Sequence, residues 1–157
     1  MLLLTWEKSG MMLMTVIEEA KAKIKGRGLK LVLPEGEDTR IASAAQRLKS
    51  DGLAEPIVFG AIPPEPGAGD IAGLMGRREK MTPAMAARLL RKPLYRAGAM
   101  VASGEASAML AGAANPTARV IEAALMTIGL APGIATPSSF FLMQWPGTRL
   151  ILSLIHI

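Results

Sequence analysis

Three short stretches of this chain carry side chains suited to gripping an anion. The first is Leu33-Pro34-Glu35-Gly36-Glu37-Asp38-Thr39-Arg40. Gly36 permits a tight turn, and Asp38 or Thr39 can cap a helix. Arg40 then falls in the first helical turn, where a guanidinium can meet a phosphate through two parallel N–H bonds. The same residues also make an ordinary capping turn with Arg40 paired to Glu37 or Asp38. The second stretch is Leu110-Ala111-Gly112-Ala113-Ala114-Asn115-Pro116-Thr117. No bulky side chain bars a ligand from the backbone here, and Asn115 and Thr117 offer polar groups; the plain alternative is a helix cap packed on a strand. The third, Arg77-Arg78-Glu79-Lys80, gathers cations just before a capped helix, or else forms a solvated face. Glu35 and Glu37 lie too close in sequence to make a convincing acid/base couple. Ser138-Ser139 reads better as a strand start than as a ligand site.

Composition narrows the chemistry further. The chain has 157 residues and no cysteine, which rules out thiolate ligands, disulfides and a cysteine nucleophile. The lone histidine, His156, lies near the C-terminal end. No Asp/Glu cluster has metal-ligand spacing, so no metal and no bound cofactor are expected. A formal net charge of +5 favours anionic ligands such as phosphates and nucleotides. Three Phe, two Trp and one Tyr are few for a protein that stacks nucleic-acid bases, so no nucleic-acid partner is expected. The apolar start Met1-Leu2-Leu3-Leu4 soon meets Glu7 and Lys8, which fits neither a signal peptide nor a membrane span. With Met11, Met12 and Met14 as alternative starts, residues 1–13 read as an N-terminal extension.

The elements that must position these residues alternate. Apolar spacing predicts a helix over 14–25, with Val16, Ile17, Ala20 and Ile24 on one face. A strand follows at 29–33, a helix from Asp38 or Thr39 to about Asp51, and a second strand at 56–60: the repeating unit of a parallel sheet. Three prolines and two glycines make residues 61–70 a loop, and 71–80 are weakly defined. Thr82-Pro83 starts a helix to about Arg91. Another follows at 94–103, then a strand at 108–113, a helix capped by Asn115-Pro116-Thr117 and running to about Ile128, and a strand at 134–143. The fold class is α/β, a three-layer architecture around a mostly parallel sheet. In such sheets ligands gather where strand C-termini meet helix N-termini, which is where the first two stretches fall.

Several of these segments together carry a resemblance. Lys30-Leu31-Val32-Leu33-Pro34-Glu35-Gly36-Glu37-Asp38-Thr39-Arg40 and Gly52-Leu53-Ala54-Glu55-Pro56-Ile57-Val58-Phe59-Gly60 are similar to the opening of the phosphate acetyl/butyryl transferases. Pro93-Leu94-Tyr95 through Gly104-Glu105-Ala106, Ala111 through Ala118, and Pro132-Gly133 through Met143 also resemble that family, in order, over about residues 14–147.

The resemblance implies part of a two-domain fold similar to isocitrate and isopropylmalate dehydrogenases, with the active site between domains. It implies acyl transfer between coenzyme A, as a substrate, and phosphate. Acetyl is the leading acyl group, butyryl the rival, and a non-catalytic regulatory domain of the kind appended to malic enzymes the third reading. The partners would be acetyl phosphate and acetyl-CoA, the location cytoplasmic, and the full-length protein a homodimer. Arg40 and Arg77 or Arg78 match family arginines of the substrate site, although the glycine usual after Lys80 is missing. Glu122 stands where the family usually has an arginine; Arg119, one turn earlier on the same helix face, is the candidate substitute. The connection from Gly60 to Arg77 is shorter than usual. The half of the family's chain holding the residues closest to the chemistry is not represented, which leaves the catalytic residues unassigned and this chain an expectedly inactive N-terminal portion. The tail, residues 148–157, departs from the family pattern and resembles translated sequencing-adapter DNA.

Overall fold

The computed structural model describes residues 15–78, 80–145 and 148–156. The proposed N-terminal extension, residues 1–13, lies outside them, as does Glu79. The described residues divide into two compact units, one within residues 24–137 and the other made of 15–23 with 138–145 and 148–156.

The larger unit is built on three parallel strands, β1 (Lys30–Leu33), β2 (Glu55–Val58) and β3 (Ala108–Met109), in the order β2-β1-β3. Leu31 pairs with Pro56 on one side and with Ala108 on the other. The central strand is accordingly the buried one: Val32 and Leu33 have 0% and 1% of their surface exposed. A parallel pair needs a crossover, and helix α2 (Thr39–Ser50) supplies it between β1 and β2. Asp38 caps α2 by accepting the Arg40 backbone N–H at 2.9 Å, one of the two capping options legible in the sequence. Gly36 has no substitute where the chain leaves β1. A Cβ there would stand 2.2 Å from Val58 Cγ1 and 2.3 Å from the Phe59 carbonyl oxygen.

Three further helices, α3 (Ala68–Gly76), α4 (Pro83–Leu90) and α5 (Pro93–Ala102), lie between β2 and β3, and α6 (Thr117–Thr127) follows β3. Helix α5 is the hub, with every residue from Leu94 to Met100 buried. Its Ala97 and Met100 pack with Val32, Phe59 and Ala106 at the sheet. Its Ala99 packs with Leu74, Ala86 and Leu90 of α3 and α4. Its Leu94 and Tyr95 pack with Ala123 of α6. A helix covered on all sides must be apolar nearly all round, and Pro93-Leu94-Tyr95-Arg96-Ala97-Gly98-Ala99-Met100 satisfies this except at one position. The exception, Arg96, is matched by charge: Nη1 lies 3.3 Å from Asp70 Oδ1, Nη2 lies 3.6 Å from Glu105 Oε2, and Nε donates to the Pro64 carbonyl. Gly98 lets α5 and α6 approach, since a Cβ there would stand 2.1 Å from Thr127 Oγ1.

The structure departs from the sequence expectations in four places. Helix α3 occupies residues read as loop and weakly defined segment; its glycines disfavour a helix, and buried Leu74 with Ile71 and Met75 in the α4–α5 cluster overrides them. Strand β3 stops at Met109 rather than 113, because the amides of Gly112 to Asn115 turn to a side-chain acceptor described below. Helix α6 is capped by Pro116 without a side-chain bond, so Asn115 is not its cap. Finally, β4 begins at Ser138 rather than 134 and joins no parallel sheet.

In the smaller unit, helix α1 (Val16–Ile24) begins with a reciprocal box: Glu18 N–H donates to Thr15 Oγ1, and Thr15 N–H donates to Glu18 Oε2. Strands β4 (Ser138–Trp145) and β5 (Thr148–His156) pair antiparallel, from Trp145 with Thr148 to Ser138 with His156, with a register shift between Ser138 and Phe140. The tail expected from its sequence to depart from the family pattern is a paired strand, in which Ile151 and Ile155 are of the β-branched type strands favour.

Candidate functional site

The C-terminal ends of β1 and β2 open onto a cleft of about 540 Å³. Pro34, Glu35, Glu37 and Asp38 line it from the β1 turn, and Gly60 and Ala61 from the β2 end. Lys92 to Tyr95 line it at the start of α5, and Ala114, Asn115, Arg119 and Glu122 from α6 and the turn before it. The starts of three helices, α2, α5 and α6, the positive ends of their dipoles, therefore border one cavity.

One buried carboxylate fixes this geometry. Glu35, 7% exposed, reaches from the end of β1 to the turn before α6. Its Oε2 accepts the amides of Gly112 at 2.8 Å and Ala113 at 2.7 Å; its Oε1 accepts those of Ala114 at 3.2 Å and Asn115 at 2.8 Å. The Asn115 side chain adds a fifth bond, Nδ2 to Oε1 at 2.8 Å. Consecutive amides curled around an oxygen pair form an anion-binding nest, and here the protein supplies the anion. Burial pushes the Glu35 carboxyl up, but the Asn115 side chain and the amides of Ala113, Gly112 and Ala114 outweigh it and hold it below the usual range.

Arg40 reinforces the same joint from outside. Its Nε and Nη2 grip Asp38 in a fork, with Nη2 to Oδ2 at 2.6 Å, and Nη2 also donates to the Ala113 carbonyl at 3.0 Å. The Arg40 guanidinium holds the Asp38 carboxyl down to about 2. The side chain is 72% exposed, so its outer edge still faces solvent.

The six residues singled out in the sequence do not converge on one place. Arg40, Asn115, Thr117 and Arg119 surround the cleft end of α6. Arg77 and Arg78 bind the opposite end of that eleven-residue helix, about 16 Å along its axis. Arg77 donates to the carbonyls of Thr127, Ile128 (3.2 Å) and Ala102 (3.3 Å), and Arg78 to that of Leu125 (3.0 Å). Both act there as cations on the negative ends of α5 and α6.

Sequence reasoning passed over three residues of the site. Glu35, too close to Glu37 in sequence for an acid/base couple, is the anion of the nest. Its signal was available: a run of Gly and Ala cannot satisfy its own loop amides, so an acceptor must come from elsewhere. Lys92 is not among the residues the sequence singles out, and Tyr95 enters only within the family-like segment beginning Pro93-Leu94-Tyr95, although Pro at the first helical position marks a helix start at the strand-end face. Tyr95 is nine-tenths buried; burial, with the Glu122 carboxylate beside its hydroxyl, raises its pKa. Arg119 and Glu122 both line the cleft, so the candidate substitute and the departure it would answer share one wall.

Comparison with known proteins agrees with this architecture. The family model described as phosphate acetyl/butaryl transferase matches residues 11–74 and 66–155, two stretches that overlap where the Gly60–Arg77 connection is short. Phosphate acetyltransferase of Paracoccus denitrificans is 41% identical, over 72% of this chain and 40% of its own length. That of Acetivibrio thermocellus is 32% identical, over 83% and 45%. Among solved structures, a phosphotransacetylase from Streptococcus pyogenes superimposes with a TM-score of 0.76 at 30% identity, covering 88% of this chain and 51% of that one. One from Staphylococcus aureus gives 0.73 at 29%, covering 84% and 47%. The chain spans from two-fifths to about half the length of these relatives. With its family model matched across most of its residues and its parallel sheet, cleft and helix starts in the corresponding fold, the chain belongs to the phosphate acetyl/butaryl transferase family.

Proposed function

We propose that residues 24–137 form one wall of an active site in which an acyl group, acetyl in the first instance, passes between coenzyme A and phosphate. In the direction from acyl phosphate, the coenzyme A thiolate attacks the acyl carbonyl, the C–S bond forms, and the C–O bond to phosphate breaks. This wall contributes charge complementarity to the departing phosphate. The observation that carries the reading is the cleft itself: the starts of α2, α5 and α6 and the Arg119 side chain converge at the C-terminal ends of β1 and β2. Arg40, Asn115 and Thr117 frame the phosphate end, while Arg77 and Arg78 hold the far ends of α5 and α6.

On this reading the opposite wall comes from a second domain, as in a two-domain dehydrogenase-like fold, and the complete enzyme is a cytoplasmic homodimer. The chain alone turns nothing over. The Glu122 carboxylate in the cleft favours one competing reading, a regulatory domain that binds without reacting.

The test is a chimera joining this chain to the remaining part of the Paracoccus denitrificans relative, assayed with coenzyme A and either acetyl or butyryl phosphate. Turnover that falls at least tenfold on Arg119→Gln supports the reading. A folded chimera inert toward both substrates, but still binding phosphate, favours the regulatory alternative.

A further inference from the structure

The cleft contains a second cation whose charge the protein leaves unspent. Lys92 is the N-cap residue of α5 and exposed, and its Nζ stands 5.6 Å from the centre of the Tyr95 ring. That ring is a fixed platform, because Tyr95 is buried against Leu94 and Ala123. At exposed sites such a cation–π contact is weak, so it orients the ammonium without consuming it. Arg40, beside the site, is committed to Asp38 and Ala113, Arg96 to Asp70 and Glu105, and the more distant Arg77 and Arg78 to helix ends. Among the described residues, Lys92 and Arg119 are the cations that line the cleft, and neither side chain makes a hydrogen bond or ion pair.

We infer that Lys92 is a phosphate-binding residue of the cleft, working with Arg119 and steadied by the face of Tyr95. The assignment rests on the phosphate-binding reading given above. A compact ammonium on a flexible stem is a point charge that can follow a phosphate group over the free amides at the start of α5. Glu122 and Glu37 set the opposing sign, beside Glu35 and Asp38, which are engaged in the fold. The Glu122 carboxylate sits beside the Tyr95 hydroxyl and lines the same cavity, so it repels the ligand that Lys92 attracts. The phosphate could be that of an acyl phosphate or those of coenzyme A, and the two sources can be told apart.

The experiment is calorimetric titration of the 157-residue chain with inorganic phosphate and, separately, with coenzyme A, at low salt. Lys92→Gln weakens binding roughly fivefold, as expected for one charge-assisted contact. Lys92→Arg restores it, and Glu122→Gln tightens it by about twofold. A loss in the inorganic phosphate arm places Lys92 on the acyl phosphate's phosphoryl group; a loss confined to coenzyme A places it on the nucleotide's phosphates. Either supports the assignment. Lys92→Gln binding both ligands as tightly as the unsubstituted chain overturns it while leaving the phosphate reading intact. An unsubstituted chain that binds neither overturns that reading and this assignment together. Because Lys92 is exposed, its variants keep the parent's circular dichroism spectrum and Tm.

Discussion

The two ends of α6 are held by mirror-image devices. At its start, one carboxylate, Glu35, gathers four loop amides and an asparagine. At its finish, one guanidinium, Arg77, gathers carbonyls from α5 and α6 and the residue beyond. Both satisfy backbone groups that the helices leave open. They differ in burial and in what they release. Glu35 is buried, and by taking the nest it leaves Lys92 and Arg119 uncommitted beside a cavity. Arg77 and Arg78 are exposed, and their charge is consumed by the fold. A cluster of arginines in a sequence is therefore a poorer guide to an anion site than a carboxylate that spares them.

The largest effect should come from removing the buried device. Glu35→Ala leaves four amides without their acceptor and should lower stability by about 3–5 kcal/mol, with Glu35→Gln costing about half as much. Urea denaturation measures both, and a loss under about 1 kcal/mol for Glu35→Ala would erase the contrast between the two ends. Acid should act on the same point. The folded state holds the Glu35 carboxyl below its ordinary value, so the folded chain binds fewer protons than the unfolded one in that range. The stabilisation is complete above the ordinary glutamate value, roughly 4.3, and is lost as pH falls through the folded value. Thermal melts below about pH 4 should thus fall steeply in the parent chain and less steeply in Glu35→Gln.

Arg77→Ala sharpens the comparison from the other side. It should cost about 1–2 kcal/mol, because its carbonyl partners can turn to water, and should leave phosphate affinity unchanged. An affinity drop equal to that of an Arg119 variant would mean that the far end belongs to the site after all. The smallest stability effect is expected for Arg119→Gln, within about 0.5 kcal/mol of the parent. Its phosphate affinity should nonetheless fall severalfold, a split that melting curves and titration on the same sample would reveal.

Much of the fold was legible because local signals agreed with one another. Asp38 before α2 and Thr82-Pro83 before α4 place helix starts within a residue of those observed, and the strand–helix–strand order of β1, α2 and β2 follows from apolar period and turn residues. Helix α3 was not legible, since Gly69, Gly73 and Gly76 mask it and the contacts of Leu74 that form it come from distant elements. The hairpin of β4 and β5 was half legible: its first strand reads as one, while its partner lies in a tail expected to stand outside the family pattern, although the family match extends to residue 155.

The site divides the same way. Arg40 pairs with Asp38, one of the two options open from its spacing, and its bond to Ala113 spans seventy-three residues that spacing cannot bridge. Asn115 read as a helix cap because the Gly–Ala run before it calls for an acceptor without saying that it is Glu35, eighty residues away. Arg77 and Arg78 read as a ligand site because a run of cations looks alike whether it faces a phosphate or a helix terminus.

The shared acceptor of residues 112–115 also sets a clock. These four amides lie in a connecting turn, where deuterium exchange would normally be complete within seconds. Each is instead locked to one interior carboxylate, so none can open to solvent unless the whole nest lets go. They should exchange slowly and at a common rate, keeping pace with the Leu110 amide on Val32 rather than with their own exposed neighbours.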